Sequence, residues 1–600
     1  MATTNISQRL TLLRQKMKAA GVDYYLVPSS DPHKSEYVPE HWQRRQWISG
    51  FTGSAGDVLV GLQEAYLWTD PRYFLQAEQE IDTHCYTLMK MTQVGTPLID
   101  QWVAQQIQPF CLAVDPRVIS VTQLERFTHA LNSKSNLLLL KENLIDALWQ
   151  DQPPLPMHPI KIHEVKYAGR SVSEKLAQVR AELKKKHCDA LIINTLDSIA
   201  WLFNIRGSDI AYNPLVISNA ILKTDSALLF VDEKKVTPEL QTYFSKNHVT
   251  ILHPDHFQET LQQLKKHVWL DANSCNAWIE QQLTHATPHR QTSPIIYFKA
   301  EKNAVEQNGM RQAHILDAIA MIKFFYWLET HWQHGVTELS AAEKLNALRR
   351  EEPHCVDLSF NTISGFGPHG AIVHYSVSPQ SDIPINDRSL YLVDSGGQYP
   401  MGTTDITRTI HLGEPTDLQK HHYTLVLKGH LNLRQAIFPA GTCGEHLNAL
   451  AHAPLWNEAL DYGHGTGHGV GCFSCVHEFP PVISARQMNE PLKPGMVVSN
   501  EPGLYLTNQY GIRIENLCVV REVYSTEKSI TGHGPFYGFD DLTLVPYALN
   551  LIACHTLTTQ EIQAINEYHQ KIITTLRPLL KDPALIHWLE KQTSPLSVAK

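Results

Sequence analysis

The sequence predicts an α/β (α+β) chain of three domains, and three observations carry that prediction. Its 600 residues are too many for a single hydrophobic core. An order of helix, strand, Gly/Ser turn and strand closing on aspartate occurs twice, across 10–70 and again across 171–232. After Phe298 that order gives way to one long helical pattern, then to strands holding most of the histidines and isolated acids. This reading sets two α/β domains of related design at 1–160 and 161–298, and a third domain carrying the chemistry at 299–600.

The elements follow in chain order. Ile6, Leu10, Leu13 and Met17 make an apolar stripe at helical spacing, closed by Gly21. A strand over 23–28, a polar stretch, the glycine turn 50–56 and a strand ending at Trp68, Thr69 and Asp70 complete the first pattern. The second opens on Ser171 and Glu174, spaced as a capping box, with Leu176, Val179 and Leu183 as its stripe. A strand over 189–194, the turn Arg206-Gly207-Ser208 and a strand ending at Val231 and Asp232 follow. In the third domain, Met310, Ala313, Asp317, Phe324 and Leu328 mark the long helix. Thr558 and Glu561 cap a later one, with Ile562, Ile565, Ile572 and Leu576 as its stripe and Pro578 and Pro583 to break it.

Composition narrows the function classes. Hydrophobic content of 43% and charged content of 18% describe an ordinary globular protein. A formal net charge of -9 speaks against nucleic acid or an anionic membrane as partner. No apolar run reaches the roughly 18 to 20 residues of a membrane span. The glycine turn at 50–56 lacks a GxGxxG or a following Lys-Ser/Thr, which excludes a phosphate loop. The ten cysteines are scattered, and Cys472-x-x-Cys475 has no second pair spaced for zinc, so it reads as two small residues of a packed loop. Met1 to Val22 carries Arg9, Arg14, Lys16 and Lys18 and no acid, as a transit peptide does. Its helical stripe favours a structural helix instead, and the protein is read as cytoplasmic.

Four segments put acids where a strand pattern expects burial. The apolar run 390–393 leads into Asp394 and a turn, and 402–409 reads as a Thr-rich strand with Asp405 at its start. Paired as a hairpin, these two would bring both carboxylates to one end. The run 497–500 ends on Glu501 before a Pro-Gly turn. Over 511–517, read as one strand, alternation sets Arg513 and Glu515 on one face. Taken singly, each acid reads as a capping or ion-paired residue. Together in a low-dielectric site they would repel, and some would have to hold protons. Divalent cations remove the conflict: four carboxylates carry about -4, two M²⁺ ions supply +4, and a bound hydroxide leaves about -1. The glycine-rich run 464–471 adds His464 and His468. Alone it could be a flexible loop; beside the four acids it offers the nitrogen ligand.

Asp394, Asp405, His468, Glu501 and Glu515, in that order, resemble the ligand set of the pita-bread metallopeptidases, the group of methionine aminopeptidase, prolidase and aminopeptidase P. Residues 390–410, 461–480 and 496–517 carry the likeness. The rest of the chain resembles the long, three-domain, cytosolic form of aminopeptidase P, at Ser35-Glu36-Tyr37, Gly53-Ser54-Ala55-Gly56, Thr69-Asp70-Pro71-Arg72 and Gly309-Met310-Arg311. The resemblance implies two creatinase-like N-terminal domains and a pita-bread catalytic domain. It implies that Asp405 and Glu515 bridge two ions, that Asp394 completes one, and that His468 and Glu501 complete the other. The ions would be Mn²⁺, with Co²⁺ or Zn²⁺ also suited to an oxygen-rich site with one imidazole.

The activity implied is hydrolysis of the bond between an N-terminal residue and a following proline by a metal-bridging hydroxide, with Glu501 as general base and then acid. By the same likeness His374 and His477 line the site and act on the oxyanion or the substrate, and His464 sits by the proline ring. Substrates would be peptides with proline at the second position, and the protein a homodimer joined through its catalytic domains. Two departures are visible: Phe479 stands where the family usually has glycine, and Asn500 where some relatives have aspartate. The rival readings are a prolidase, which cuts Xaa-Pro dipeptides, and a pita-bread scaffold used for binding without catalysis. The retention of all five ligand positions weighs against the second.

Overall fold

The computed structural model describes residues 5–525, 527 and 534–597. The chain forms two compact units. One runs to Glu164 and includes Arg170–Ile295; the other joins Val165–Gly169 to everything from Ile296 onward.

The first unit contains one design written twice. Its first sheet runs in the order Thr87–Lys90, Ala65–Thr69, Asp57–Gly61, Tyr24–Val27, Cys111–Val114, Asn136–Leu139. Its second runs Val249–Leu252, Ala227–Phe230, Asn219–Lys223, Ala190–Ile193, Lys266–Leu270, Ala286–Arg290. Both have two antiparallel pairings at the same places and parallel pairings elsewhere. Each is introduced by a capped helix. Asn5 and Gln8 cap Ile6–Ala19, which buries Leu10, Leu13 and Met17, so the basic opening segment is a packed helix. Ser171 and Glu174 cap Val172–Lys185, which buries Leu176, Val179 and Leu183. Gly50 ends the short helix Arg44–Ser49 at φ +79°, a left-handed conformation that favours glycine.

The second unit is organised around the helix Ala304–His331, capped by Asn303 and Glu306. Met310, Ala313, Asp317, Phe324 and Leu328 are buried on it; Phe324 and Leu328 join one large core with Tyr423, Val426, Leu431, Ile565 and Ile572, while Met310 packs with Val497 and Leu517 and Ala313 with Tyr399. Two of its four sheets among the described residues hold most of the segments of the site. A three-stranded antiparallel sheet has Leu390–Ser395 between Ile363–Phe366 and Ile406–His411. A six-stranded sheet runs Phe438–Pro439, Phe536–Asp541, Asn516–Tyr524, Val497–Asn500, Gly467–Gly469, Glu478–Ile483. Cys472 and Cys475 lie in the loop between its last two strands, where Cys472 Sγ donates to the carbonyl oxygen of Met401 at 3.3 Å. No helix among the described residues is long and apolar enough to cross a membrane.

Two local expectations need correction. The segment 511–517 is two strands, not one: Tyr510–Arg513 pairs with Gly503–Leu506, whereas Asn516–Tyr524 joins the six-stranded sheet. The chain changes sheets at Ile514 and Glu515, so alternation cannot be carried across them. Pro583 does not merely end a helix. After Thr559–Leu576 the chain turns at Arg577–Leu579, and Pro583 starts the helix Pro583–Gln592 with Asp582 as its cap.

Candidate metal centre

Strand ends in the second unit deliver the acids. In the hairpin Leu390–Ser395 with Ile406–His411, Asp394 stands opposite Thr407 and Ser395 opposite Ile406, so Asp405 lies two residues before the one that faces Asp394, at the same end of the hairpin. Val497–Asn500 pairs with Asn516–Tyr524, with Asn500 opposite Asn516. Glu501 and Glu515 therefore leave the ends of neighbouring strands together. His468 comes from the adjacent strand Gly467–Gly469. Glycine is required on both sides of it: a Cβ on Gly467 would run into the carbonyl oxygen of Ser499, and one on Gly469 into that of Glu478.

The resulting cluster is compact. One ligand atom each from Asp405, His468 and Glu515 all lie within 4.8 Å of one another. His468 Nε2 stands 3.5 Å from Asp405 Oδ2 and 3.4 Å from Glu501 Oε1. Its Nδ1 faces the carbonyl oxygen of Gly469 at 3.0 Å, which makes Nδ1 the protonated nitrogen and turns the Nε2 lone pair toward the acids. Thr407 Oγ1 donates to Glu515 Oε2 at 2.8 Å, and Ser499 Oγ donates to Glu501 Oε1 at 3.2 Å while accepting from His468 N at 2.9 Å.

Arg513 supplies positive charge, but to a different acid from the one its spacing suggested. Its Nη2 donates to Asp394 Oδ2 at 2.7 Å, its Nη1 to Tyr505 Oη at 2.7 Å and its Nε to Thr407 Oγ1 at 3.1 Å. It is fully buried. Tyr505 passes this chain of bonds to His464, whose Nε2 lies 2.8 Å from the phenol oxygen. His464 Nδ1 is 4.0 Å from Glu501 Oε2. His477 packs against His468, ring centroids 4.3 Å apart and edge to face. His374 lies on the half-buried turn after Gly367–Ala371, and the carbonyl of its neighbour Val373 accepts from Arg513 at 3.4 Å. Asp394, Asp405, His464, His468, His477, Glu501 and Glu515 thus meet in one region, and His374 follows the carbonyl that Arg513 holds. Arg513 to Asp394, Thr407 under Glu515, Ser499 and Tyr505 are partners that the motif alone did not reveal.

The electrostatics test whether these residues suit a cation. Burial raises the Asp405 carboxyl well above the ordinary carboxylate range, and Asp394 and Glu501 push it further. Burial raises Glu515 in the same way, reinforced by Asp405 and Glu501. Burial also raises Asp394, although Arg513 opposes the shift. One oxygen of Asp394, Oδ1, is buried without a hydrogen-bond partner. A set of buried acids pressed toward protonation, an unsatisfied carboxylate oxygen and an imidazole lone pair aimed among them is the donor chemistry of a divalent cation site. The residues fit the group.

The fold and this site define a metallopeptidase. Residues 308–522 match metallopeptidase family M24 and 535–596 the C-terminal region of peptidase M24, while 9–148 and 151–306 each match a creatinase/prolidase N-terminal domain. The chain belongs to metallopeptidase family M24, with two creatinase-type N-terminal domains ahead of a pita-bread catalytic domain. It is 41% identical over 616 residues to the "Probable Xaa-Pro aminopeptidase P" of Botryotinia fuckeliana, covering 99% of this chain and 94% of that one. The likewise named protein of Sordaria macrospora is 42% identical over 616 residues, covering 99% of this chain and 100% of that one. Among solved structures it is similar to the X-prolyl aminopeptidase of Caenorhabditis elegans, described as a cytosolic enzyme with a di-nuclear active site, at a TM-score of 0.93 and 32% identity over 99% of this chain and 100% of that one.

Proposed function

We propose that the protein removes an N-terminal residue standing before proline, using two divalent ions, Mn²⁺ by preference. One observation carries the reading. The buried cluster of four carboxylates and His468 is intact in a chain that is similar to Xaa-Pro aminopeptidases over 99% of its length. In this reading Asp405 and Glu515 would be shared ligands of the ions, and Asp394, His468 and Glu501 would supply the rest. The ions would supply a low-pKa water and polarise the scissile carbonyl.

The remaining work falls to side chains. Glu501 takes the proton released as the nucleophile forms and returns it to the leaving nitrogen. That return matters for proline, whose bond is a tertiary amide with no N–H for a strand-like clamp to hold. Recognition must therefore come from the ring, and His464, held by Tyr505, is in position beside Glu501 to flank it. His477, packed against His468, and His374 stabilise charge on the carbonyl oxygen in this reading. The buried Arg513 fixes Asp394 and, through Tyr505, the orientation of His464. The same reading gives a cytoplasmic homodimer, with domains at 1–160, 161–298 and 299–600.

The test compares release of the N-terminal residue from an Xaa-Pro-Xaa tripeptide and from an Xaa-Pro dipeptide, after chelation and after adding back Mn²⁺. Tripeptide cleavage restored by Mn²⁺, with the dipeptide untouched, is the expected result. Cleavage of the dipeptide alone makes the protein a prolidase.

A further inference from the structure

His464 lies on a stretch without regular structure. Residues 461–466 belong to no helix or strand, and Gly467 is the first to pair. Side chains hold the imidazole instead. Its Nδ1 faces the carbonyl oxygen of Gly465 at 2.8 Å, and its Nε2 faces Tyr505 Oη at 2.8 Å. Two bonds made by the ring nitrogens fix the edge of the ring and leave it free to tip about the line joining them. The Tyr462 ring lies against it, centroids 4.9 Å apart and planes 40° apart. Tyr462 is tied, directly and through Thr466, to one face of the helix Gly444–Trp456. Its ring stacks on His452, centroids 3.9 Å apart and planes 13° apart. Its phenol oxygen lies 2.6 Å from Thr466 Oγ1; Thr466 uses its own hydrogen on Asn448 Oδ1 at 2.7 Å, so the phenol is the donor. Asn448 and His452 stand at i and i+4, neighbours on that helix face. His452 is fixed in turn by Asp461, its Nδ1 2.7 Å from Oδ1. Tyr462 is buried, and burial pushes its hydroxyl above the ordinary tyrosine range, so it stays a donor.

We propose that Tyr462 is a positioning residue for His464: it holds the imidazole at the tilt at which that ring flanks the proline of a bound peptide. The inference rests on the Xaa-Pro reading above. Proline brings no N–H that could correct a misplaced contact through a backbone bond. Recognition of its ring depends on a surface already in place when the peptide arrives, which is what locking a side chain by its neighbours achieves. Removing the Tyr462 ring takes away neither a carboxylate nor His468, and it leaves both hydrogen bonds of His464 available. What it takes away is the contact that stops His464 from tipping. The loss therefore falls on peptide binding, and the cluster itself stays as it is.

The experiment uses the full chain loaded with Mn²⁺ and one Xaa-Pro-Xaa tripeptide. Both kcat and KM are measured for the wild type, Tyr462→Phe and Tyr462→Leu. KM does not depend on how much of the protein is folded or metal-loaded, so a merely structural loss lowers the apparent kcat and leaves KM where it was. Tyr462→Leu should raise KM about tenfold with kcat within about threefold of wild type. Tyr462→Phe keeps the ring and should hold KM within about twofold of wild type. Mn²⁺ affinity by calorimetry should be the same in all three. His464→Ala, assayed at higher enzyme concentration, should raise KM at least as far as Tyr462→Leu, and combining the two should raise it no further. An unmoved KM in Tyr462→Leu, an equal rise in Tyr462→Phe, a lowered Mn²⁺ affinity in Tyr462→Leu, or a further rise on top of His464→Ala overturns the role of Tyr462 and leaves the Xaa-Pro reading standing. Failure of the wild type to cleave the tripeptide overturns both.

Discussion

Replacing Asp405 with asparagine should stabilise the metal-free protein at neutral pH while removing its ability to hold metal. In the folded, metal-free chain the Asp405 carboxyl is raised well above its ordinary value by burial, and then by Asp394 and Glu501. In the unfolded chain it returns to about 3.9. Between those two values the folded state keeps a proton that the unfolded state has lost. Stability then falls as pH rises, by about 1.4 kcal/mol per pH unit for each extra proton held. The penalty is absent below the unfolded value, grows through the window above it, and is complete once pH passes the folded value. Asparagine has no such proton, so its advantage over the wild type grows with pH across the window. Two pH units of that slope amount to about 2.7 kcal/mol, less about 1 kcal/mol for an amide imperfectly bonded in the acid's place. For a unit of about 300 residues this is a rise of about 2 to 3 °C in Tm.

The assay is thermal or urea unfolding of both proteins after chelation, at several pH values between 5 and 8, with the difference taken at each pH so that shared titrations cancel. With Mn²⁺ at about a hundred times its Kd the order should invert, because the wild type gains about 2.7 kcal/mol from binding and the variant does not. A chelated variant less stable than wild type at pH 7.5, or a difference flat with pH, would refute the argument that these acids are strained without cations.

Three further outcomes are expected. Arg513→Ala leaves the buried Asp394 carboxylate without its ion partner and should lower stability by about 3 to 5 kcal/mol in urea unfolding at pH 7.5; Arg513→Lys, which keeps charge but loses the fork, should recover only part of it. Glu478→Gln removes the carboxylate shared by Lys299 and Lys302 and should be destabilising by about 3 to 5 kcal/mol in the same assay. Gly469→Ala forces its new Cβ against the Glu478 carbonyl and Pro481; the rung carrying His468 must shift, so Mn²⁺ affinity by calorimetry should fall about tenfold or more, as for loss of a residue that orients a metal ligand.

How much of this was legible beforehand varied with the range of the interaction. The hairpin that joins Asp394 to Asp405 could be read because both strands and their turn lie within 22 residues of one another, at 390–411. The duplicated design was legible because each copy repeats a helical stripe, a Gly/Ser turn and a strand closing on aspartate, and these are local signals. The partner of Arg513 was not. Alternation holds within one strand, and the chain passes from one sheet to another at Ile514 and Glu515 with no glycine or proline to mark the change. Arg513 consequently faces Asp394, 119 residues away in sequence. Pro583 was half legible: Asp582 before it has the signature of a cap followed by proline in the first turn, and only its reading as a breaker went astray. The bulge at 479–481, where His468 stands opposite Val482 yet Gly469 opposite Glu478, was signalled by its two prolines, which a regular central strand would exclude and which here lie on the edge strand of the six-stranded sheet.

The placement of the acids also explains why the fold accepts them. Asp405, Glu501 and Glu515 each stand just outside a strand, where ladder pairing has stopped and a side chain can turn inward without breaking the sheet. The strands themselves are largely buried, Leu390–Ser395 in the second unit's large core and Val497–Asn500 with the start of Asn516–Tyr524 in two smaller ones, and this packing secures them independently of the cluster. Repulsion among the acids is therefore borne by elements that would be folded without them. Arg513, Thr407 and Ser499 each satisfy one carboxylate oxygen and leave others free. Complete satisfaction by protein donors would have neutralised the site; partial satisfaction orients the acids and leaves their remaining oxygens available. Adding a donor to Asp394 Oδ1, a buried oxygen that lacks a partner, should therefore stabilise the metal-free protein and weaken Mn²⁺ binding together.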